Sequence, residues 1–219
     1  MKANFFHLTK LGAAGLIFLT PFLALATQDQ DAYNTAKQSI KSEWRSKVLL
    51  MQGIGTESSI REWTIYFFDA DVKDSHARRV VVKKGGVDTV ERASSKKSAD
   101  EALVFDPAMN PVPVESALAA ARSYAKEKDI SYDAVRVLLR KPSSAEAPVW
   151  RVEMLKGKKS RGAVYLGSQG AAVTRYSTPE VFKEEVEAES EGFFKDVENT
   201  FLDIGGELEE FFTGKRTIY

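Results

Sequence analysis

The chain has 219 residues, 43% hydrophobic and 28% charged, with 31 Lys and Arg against 31 Asp and Glu. This is the composition of a folded protein rather than a disordered one, and the even charge balance argues against a nucleic-acid partner. Cysteine is absent, which excludes disulfide staples, thiol nucleophiles and thiolate metal sites, so stability must come from packing.

Residues 1–26 stand apart. Lys2 and Lys10 precede an uncharged run from Leu11 to Ala26 that ends Ala24-Leu25-Ala26. That is the pattern of a secretory signal with a small-x-small cleavage site, and cleavage is expected after Ala26. A membrane-spanning helix needs about 20 uninterrupted apolar residues, whereas this run is shorter and carries Pro21. No cysteine comes after it, which excludes the lipid-anchored form of such a signal. The product is expected to be periplasmic or secreted. Without these residues Lys and Arg number 29 against 31 acids, a net charge of −2.

An internal repeat organises the rest of the chain. Tyr33, Ala36, Ile40 and Trp44 carry a helical spacing in the first half, and Val114, Leu118, Ala121 and Ala125 in the second. Asp29 or Asp31 is a candidate cap for the first helix; Pro113 and Glu115 mark the start of the second. Strand-like stretches come next, Lys47 to Met51 and Ala134 to Leu139, then polar loops, Thr56 to Glu62 and Lys141 to Pro148. Val48 to Trp63 and Val135 to Trp150 both span fifteen residues, at an offset of 87. Trp63, Ile65 and Phe67 alternate onto one strand face, as do Trp150, Val152 and Met154. A hairpin closes each half, Arg78 to Lys83 with Val87 to Arg92 and Gly162 to Leu166 with Ala171 to Tyr176, with turns containing Gly85-Gly86 and Gln169-Gly170. Between the halves, Ser94 to Pro113 reads as a linker in which Ala102 to Phe105 is a candidate edge strand. Sheets of this size need cover on at least one face, so the halves are expected to pack on each other or each under its own helix.

The helix, the Trp-bearing strand and the Gly-bearing final hairpin, carried by Trp63 with Gly86 and by Trp150 with Gly170, resemble the PepSY and PepSY-like domains of exported bacterial proteins. A tandem of two also resembles the architecture of the beta-lactamase inhibitor proteins. The similarity covers residues 29–92 and 114–176. It implies a binding or inhibitory module and transfers no catalytic residue.

Other motifs carry little chemistry. After His7, His76 is the one remaining histidine, which with no cysteine cannot build a zinc site by itself. The stretch Asp69 to His76 faintly resembles a calcium loop, but Lys73 sits where a ligand belongs and the turn glycine is missing. Gly53-Ile54-Gly55 lacks the third glycine of a phosphate loop and reads as a turn. No serine lies in a nucleophile-elbow motif. Trp63 and Trp150 are read as core, whereas Tyr66 and Phe68 lie on the opposite strand face and are candidates for an interaction surface or the contact between the halves.

The tail is the most distinctive element. Residues 179–219 hold twelve acids and four bases, a net of −8, against +6 for residues 27–178. Ser177-Thr178-Pro179-Glu180 supplies a helix start, and Phe194, Val197, Phe201, Ile204, Leu208 and Phe211 recur as one helical seam, with a break expected at Gly205-Gly206. Docking on the protein's own sheet, self-association and membrane adsorption compete. Acids on the polar face disfavour the membrane.

The expectation is therefore an α+β protein: signal peptide 1–26, PepSY-like repeat 27–93, linker 94–112, second repeat 113–177 and acidic amphipathic helix 178–219. Each repeat is a helix on a four-stranded antiparallel sheet. No catalytic residue, metal or cofactor is expected. The partner is another protein or peptide of the cell envelope, met through Tyr66, Phe68, Phe194, Phe201 and Phe211, with inhibition of an exported enzyme as one outcome. The alternative is an envelope component that oligomerises through its C-terminal helix.

Overall fold

The computed structural model describes residues 27–110, 112–167, 170, 172–188 and 192–202, with side chains for all of these except 188 and 198–202. The signal segment and Gly205-Gly206 lie outside the described residues. The first half runs α1 (Gln28–Ala36), β1 (Val48–Gly55), β2 (Ile60–Phe68), β3 (Ala77–Lys83) and β4 (Gly86–Arg92). The second runs α2 (Val114–Glu127), β5 (Ala134–Arg140), β6 (Val149–Lys156), β7 (Lys159–Gly167) and β8 (Val173–Ser177), followed by α3 (Pro179–Ala188) and α4 (Phe193–Leu202).

The order helix and four strands recurs as expected, but the two sheets are one. All eight strands join in the order β4-β3-β2-β1-β5-β6-β7-β8, antiparallel throughout, because β1 and β5 pair from Leu50 with Arg140 to Gly55 with Val135. Gln52 pairs with Leu138 at the middle of this seam, and the registers on either side mirror one another about that pair. A local two-fold axis through it relates the halves. Strand β1 is therefore central and buried along its whole length, which corrects the reading of Gly53-Ile54-Gly55 as a turn. Strand β2 likewise starts at Ile60, inside the expected loop.

The common fifteen-residue spacing conceals two differences that cancel. Strand β1 takes five steps from Val48 to Gly53, the partner of Trp63, whereas β5 takes four from Val135 to Leu139, the partner of Trp150. The extra residue forms a bulge that sends both Leu49 and Leu50 to the same face, and the stretch from Leu139 to Trp150 is one residue longer than that from Gly53 to Trp63. The final hairpins also share a bulge, at Val81/Val82 and at Tyr165/Leu166. The tight turn of the first is Lys84-Gly85, both at positive φ (51° and 76°), the pair a twisted two-residue hairpin requires; Gly86 is already in the strand.

Helices α1 and α2 cover the first face of the sheet. Trp63, Ile65 and Phe67 meet Trp150, Val152 and Met154 in one core beneath them. The indoles of Trp63 and Trp150 touch edge to face, with ring centroids 6.4 Å apart at 61°. Gly53 makes room for this contact: a Cβ there would lie 2.6 Å from Ile60 Cγ2, 2.9 Å from Val137 Cγ2 and 3.2 Å from the Trp63 ring. Trp150 Nε1 donates to the Val112 carbonyl at 2.8 Å.

The helix expected over Tyr33 to Trp44 ends at Ala36. Lys37–Ser39 forms a 3-10 turn, Ile40 is extended, and Trp44 falls in a second 3-10 turn against the ring of Phe68. The linker is built rather than loose: Asp100 and Asp106 cap 3-10 turns, and the expected edge strand reduces to one bridge of Phe105 to Val48.

The expected capping of α1 by Asp29 or Asp31 is also corrected. The N-termini of α1 and α2 face each other across the local axis and exchange caps. Buried Asp29 of α1 accepts the Val114 amide of α2 at 3.2 Å, and Glu115 of α2 accepts the Gln28 amide of α1 at 2.9 Å. Burial raises the Asp29 carboxyl above its ordinary value of 3.8, and the nearby Glu115 charge adds to the rise, against the hydrogen bonds that lower it.

Two outcomes are expected. Gly53→Ala should cost about 1–3 kcal/mol by overpacking, read from the urea midpoint, with retention of wild-type stability showing that the indole contact does not need the gap. Folded Asp29 holds its proton to higher pH than the unfolded chain does, so wild-type stability falls as pH rises from about 3.8 through the raised folded value. Asp29→Asn keeps the acceptor for Val114 and should flatten that fall as pH rises above the ordinary carboxyl value of 3.8, measured by thermal melting. An unchanged slope would place its source elsewhere.

Candidate binding face

Both faces of the sheet are covered, and the second carries the candidate interaction residues. Tyr66 and Phe68 do point away from the two tryptophans, as their alternation predicts, but they are buried at 2% and 4% exposure. Over Phe68 lie Trp44 and His76, and over Tyr66 lies α4, which packs on this face. Phe193 meets the Tyr66 ring edge to face at 6.0 Å, and Phe193 and Val197 join Leu49, Leu50, Tyr66, Phe68 and Leu138 in a second core. Asp196 of α4 accepts the Ser95 hydroxyl at 3.0 Å and the Lys96 amide at 3.1 Å. Phe194 is half-buried against Phe193 with the Arg140 guanidinium 5.0 Å over its ring. Phe201 falls in α4 with its side chain outside the described residues, and Phe211 lies outside them altogether.

Among the described residues the tail carries two helices, α3 and α4, where one was expected, with Gly192 in a bend just before α4. Pro179 starts α3 as the sequence predicts, with the Thr178 hydroxyl accepting the Val181 amide at 3.4 Å. Glu185 fastens α3 to the second face. Its carboxylate accepts from Tyr165 Oη at 2.9 Å, from the Ser177 hydroxyl at 2.9 Å and from Arg175 Nη1 at 2.6 Å. Burial first, then Glu185, pushes the Tyr165 phenol up to about 12 against the lowering pull of Arg151. Arg151 in turn lies 5.3 Å over the ring of buried Phe182.

What sets this face apart from the first is its charge. Arg79, Arg136, Arg140, Arg151 and Arg175 come from strands of both halves and all point to the second face, by the pairings of β2 with β3 and of β5 through β8. Sequence reading singled out the aromatic pair and passed over this row. The signal was present in Arg136 between Val135 and Val137, a charge inside an apolar strand. Glu153 holds Arg136 in a two-pronged pair, Nε to Oε2 at 2.8 Å and Nη2 to Oε1 at 3.0 Å, with side-chain exposures of 13% for the arginine and 4% for the glutamate. The arrangement can grip carboxylates and apolar rings together, because a guanidinium offers donors at its edge and a flat face to an aromatic ring.

The remaining motifs are structural. In the stretch that resembled a calcium loop, Asp69 accepts from Arg78 at 2.8 Å, Asp71 pairs with Lys41, and His76 packs on Phe68. Among the described residues no three His, Asp or Glu side chains gather as a metal site would need. A shallow cavity of about 430 Å³ lies beside the C-terminal end of α2, between Glu57, Arg122 and Tyr132. No described helix is long and apolar enough to cross a membrane.

The fold thus defines an α+β protein with one eight-stranded antiparallel sheet in two four-strand halves and helices on both faces. No protein-family model and no curated protein matches the chain. Among solved structures it is similar to a protein of Clostridium difficile 630 described as a putative lipoprotein, at 15% identity and a TM-score of 0.44, covering 67% of this chain and 91% of that one.

Removing one partner of a buried charge pair leaves the other uncompensated. Glu153→Leu should therefore cost about 3 kcal/mol or more, and the double variant Arg136→Met with Glu153→Leu should recover most of that loss in chemical denaturation. A double variant no more stable than the single one would mean that the pair organises the face in a way apolar packing cannot replace.

Proposed function

We propose that the chain is an exported, non-catalytic protein- or peptide-binding module of the periplasm or exterior, built from two PepSY-like units and able to inhibit a secreted or periplasmic enzyme by covering it. One observation carries this reading: arginines of the second face hold the two tail helices, with Phe194 of α4 under Arg140, Phe182 of α3 under Arg151 and Glu185 of α3 on Arg175. An acidic amphipathic segment of another protein would find the same chemistry there, in the manner of a helix laid on a groove. The repeated Trp-bearing strand and the bulge common to both final hairpins support the PepSY-like kinship.

The test is recovery from a periplasmic extract with the full chain as bait. The wild type should retain a partner that the Arg140→Glu, Arg151→Glu double variant loses by at least about tenfold, the scale of a lost charged contact. Equal recovery by both would remove this face as the binding surface, and no recovery by either would count against the module itself.

A second reading has α4 seated on a second copy of the chain, making an envelope component that self-associates. The small α4 contact, centred on Phe193 and Val197, is the kind that exchanges between copies. Sedimentation of the whole chain should then give a dimer whose mass halves in the Phe193→Asp, Val197→Asp variant. A monomer in both cases ends that reading.

A further inference from the structure

The cavity beside the C-terminal end of α2 is used by neither of these readings. Its volume of about 430 Å³ falls within the range of small-molecule sites. Three segments meet around it: the last two turns of α2, the loop between β1 and β2, and residues 130–132 ahead of β5. Arg122 ties the first two together, because its Nη1 donates to the Glu57 carbonyl at 2.8 Å. The helix end is closed by its own backbone, with the Ile130 amide on the Ala125 carbonyl at 2.8 Å and Asp129 at a φ of 53°. That sharp turn brings Ile130 and Tyr132, both half-buried on the first core, into the lining with Ala125.

Charges of both signs join this apolar floor. Arg122 and Lys126 stand one turn apart on the same face of α2, and both are exposed. Among the described residues the Lys126 ammonium has no hydrogen-bond or ion-pair partner. Lys156 adds a cation at the edge, donating to the hydroxyl of lining Ser131 at 2.6 Å. Of the neighbouring acids, Glu127 pairs with Lys128 at 2.9 Å and Asp133 accepts the Gly157 amide at 3.1 Å. Glu57 is the acid among the described lining residues. Burial first, then the Glu57 charge, pushes the Tyr132 phenol up to about 12 against the pull of Arg122, so the phenol brings no charge of its own.

Two cations, an acid and an apolar floor in one cavity select a ligand with a carboxylate, a hydrogen-bond donor close to it and an apolar side chain. A phosphate suits the site less, because its second negative charge would meet Glu57. We propose that the cavity binds the α-carboxylate end of a peptide or of a free amino acid. Arg122 and Lys126 hold the carboxylate, Glu57 accepts from the adjacent nitrogen, and Ala125, Ile130 and the Tyr132 ring receive the side chain. The site goes beyond the reading of the second face and does not depend on it, since α2 covers the opposite face of the sheet.

Calorimetry on the full chain tests the site with three probes: acetyl-Ala-Ala-Phe with a free carboxylate, the same peptide amidated, and free phenylalanine. At least one of the two free acids should bind, and the amide should bind at least about tenfold more weakly than that acid. Tighter binding of the peptide acid would assign the site to peptide ends, and tighter binding of phenylalanine to free amino acids; both results support it. Arg122→Ala with Lys126→Ala should lower the affinity for the bound acid at least about tenfold. If circular dichroism shows that variant unfolded, Lys126→Glu takes its place, because the Lys126 ammonium has no polar contact in the fold to lose. Absence of binding by both acids at millimolar concentration, an amide that binds as well as the acid, or a folded variant with undiminished affinity would each overturn the site. Recovery of a partner through Arg140 and Arg151 is a separate result and stands or falls without it.

Discussion

The structure depends on the pairing of β1 with β5. Those two strands turn two small helix-on-sheet units into one sheet, and the constraint that makes the joint possible sits at Gly53. A side chain there would strike Ile60 and Val137; its absence lets the Trp63 ring lean across the seam to Trp150. An edge-to-face aromatic pair adds about 0.5–1.5 kcal/mol beyond its burial. The larger effect is geometric, because the indoles tie the cores of both halves together under α1 and α2. The exchange of caps between Asp29 and Glu115 repeats the same relation at the helix ends, so the local axis is held at the sheet and again above it.

Sharing a sheet has a cost in polarity. Strands that read as half-buried become buried on both sides, and their outward residues need partners. Arg136 finds Glu153, and Tyr165, Ser177 and Arg175 converge on Glu185. Gln52 and Thr64, beside the axis, are the exceptions among these inward-turned polar residues. Part of the charge contrast in the sequence is met where Glu185 of α3 lies on Arg175 and Phe194 of α4 lies under Arg140.

Much of this was legible in the residues. The two tryptophans at an offset of 87 gave the duplication, the alternation around them gave the inward face, and Pro113 and Pro179 gave two helix starts. The fifteen-residue spacing was right although it joined a bulge in one half to a longer loop in the other, a cancellation that no count along the chain could separate. The merging of the sheets was written more faintly. Val48-Leu49-Leu50-Met51 and Val137-Leu138-Leu139 are unbroken apolar runs, the mark of strands covered on both faces, and they are the two strands at the seam. Tyr66 and Phe68 take the side that alternation predicts and are buried there, because periodicity tells which face a residue takes and not what will lie on it. Ile40 and Trp44 kept a helical spacing that the backbone abandons after Ala36, since spacing alone does not detect where a helix stops.

The union of the halves has a further consequence for how the molecule meets others of its kind. Two separate four-stranded sheets would offer four open margins for a foreign strand to join, whereas the fused one has margins at β4 and β8 alone among the described strands. Each of those carries the same local irregularity in its pairing, and β4 alternates Asp88, Glu91 and Arg92 with small patches of valine. Kinked, charged borders are poor templates for strand addition. Fusion therefore guards against uncontrolled stacking, and it leaves recognition to the broad surfaces rather than to the rims.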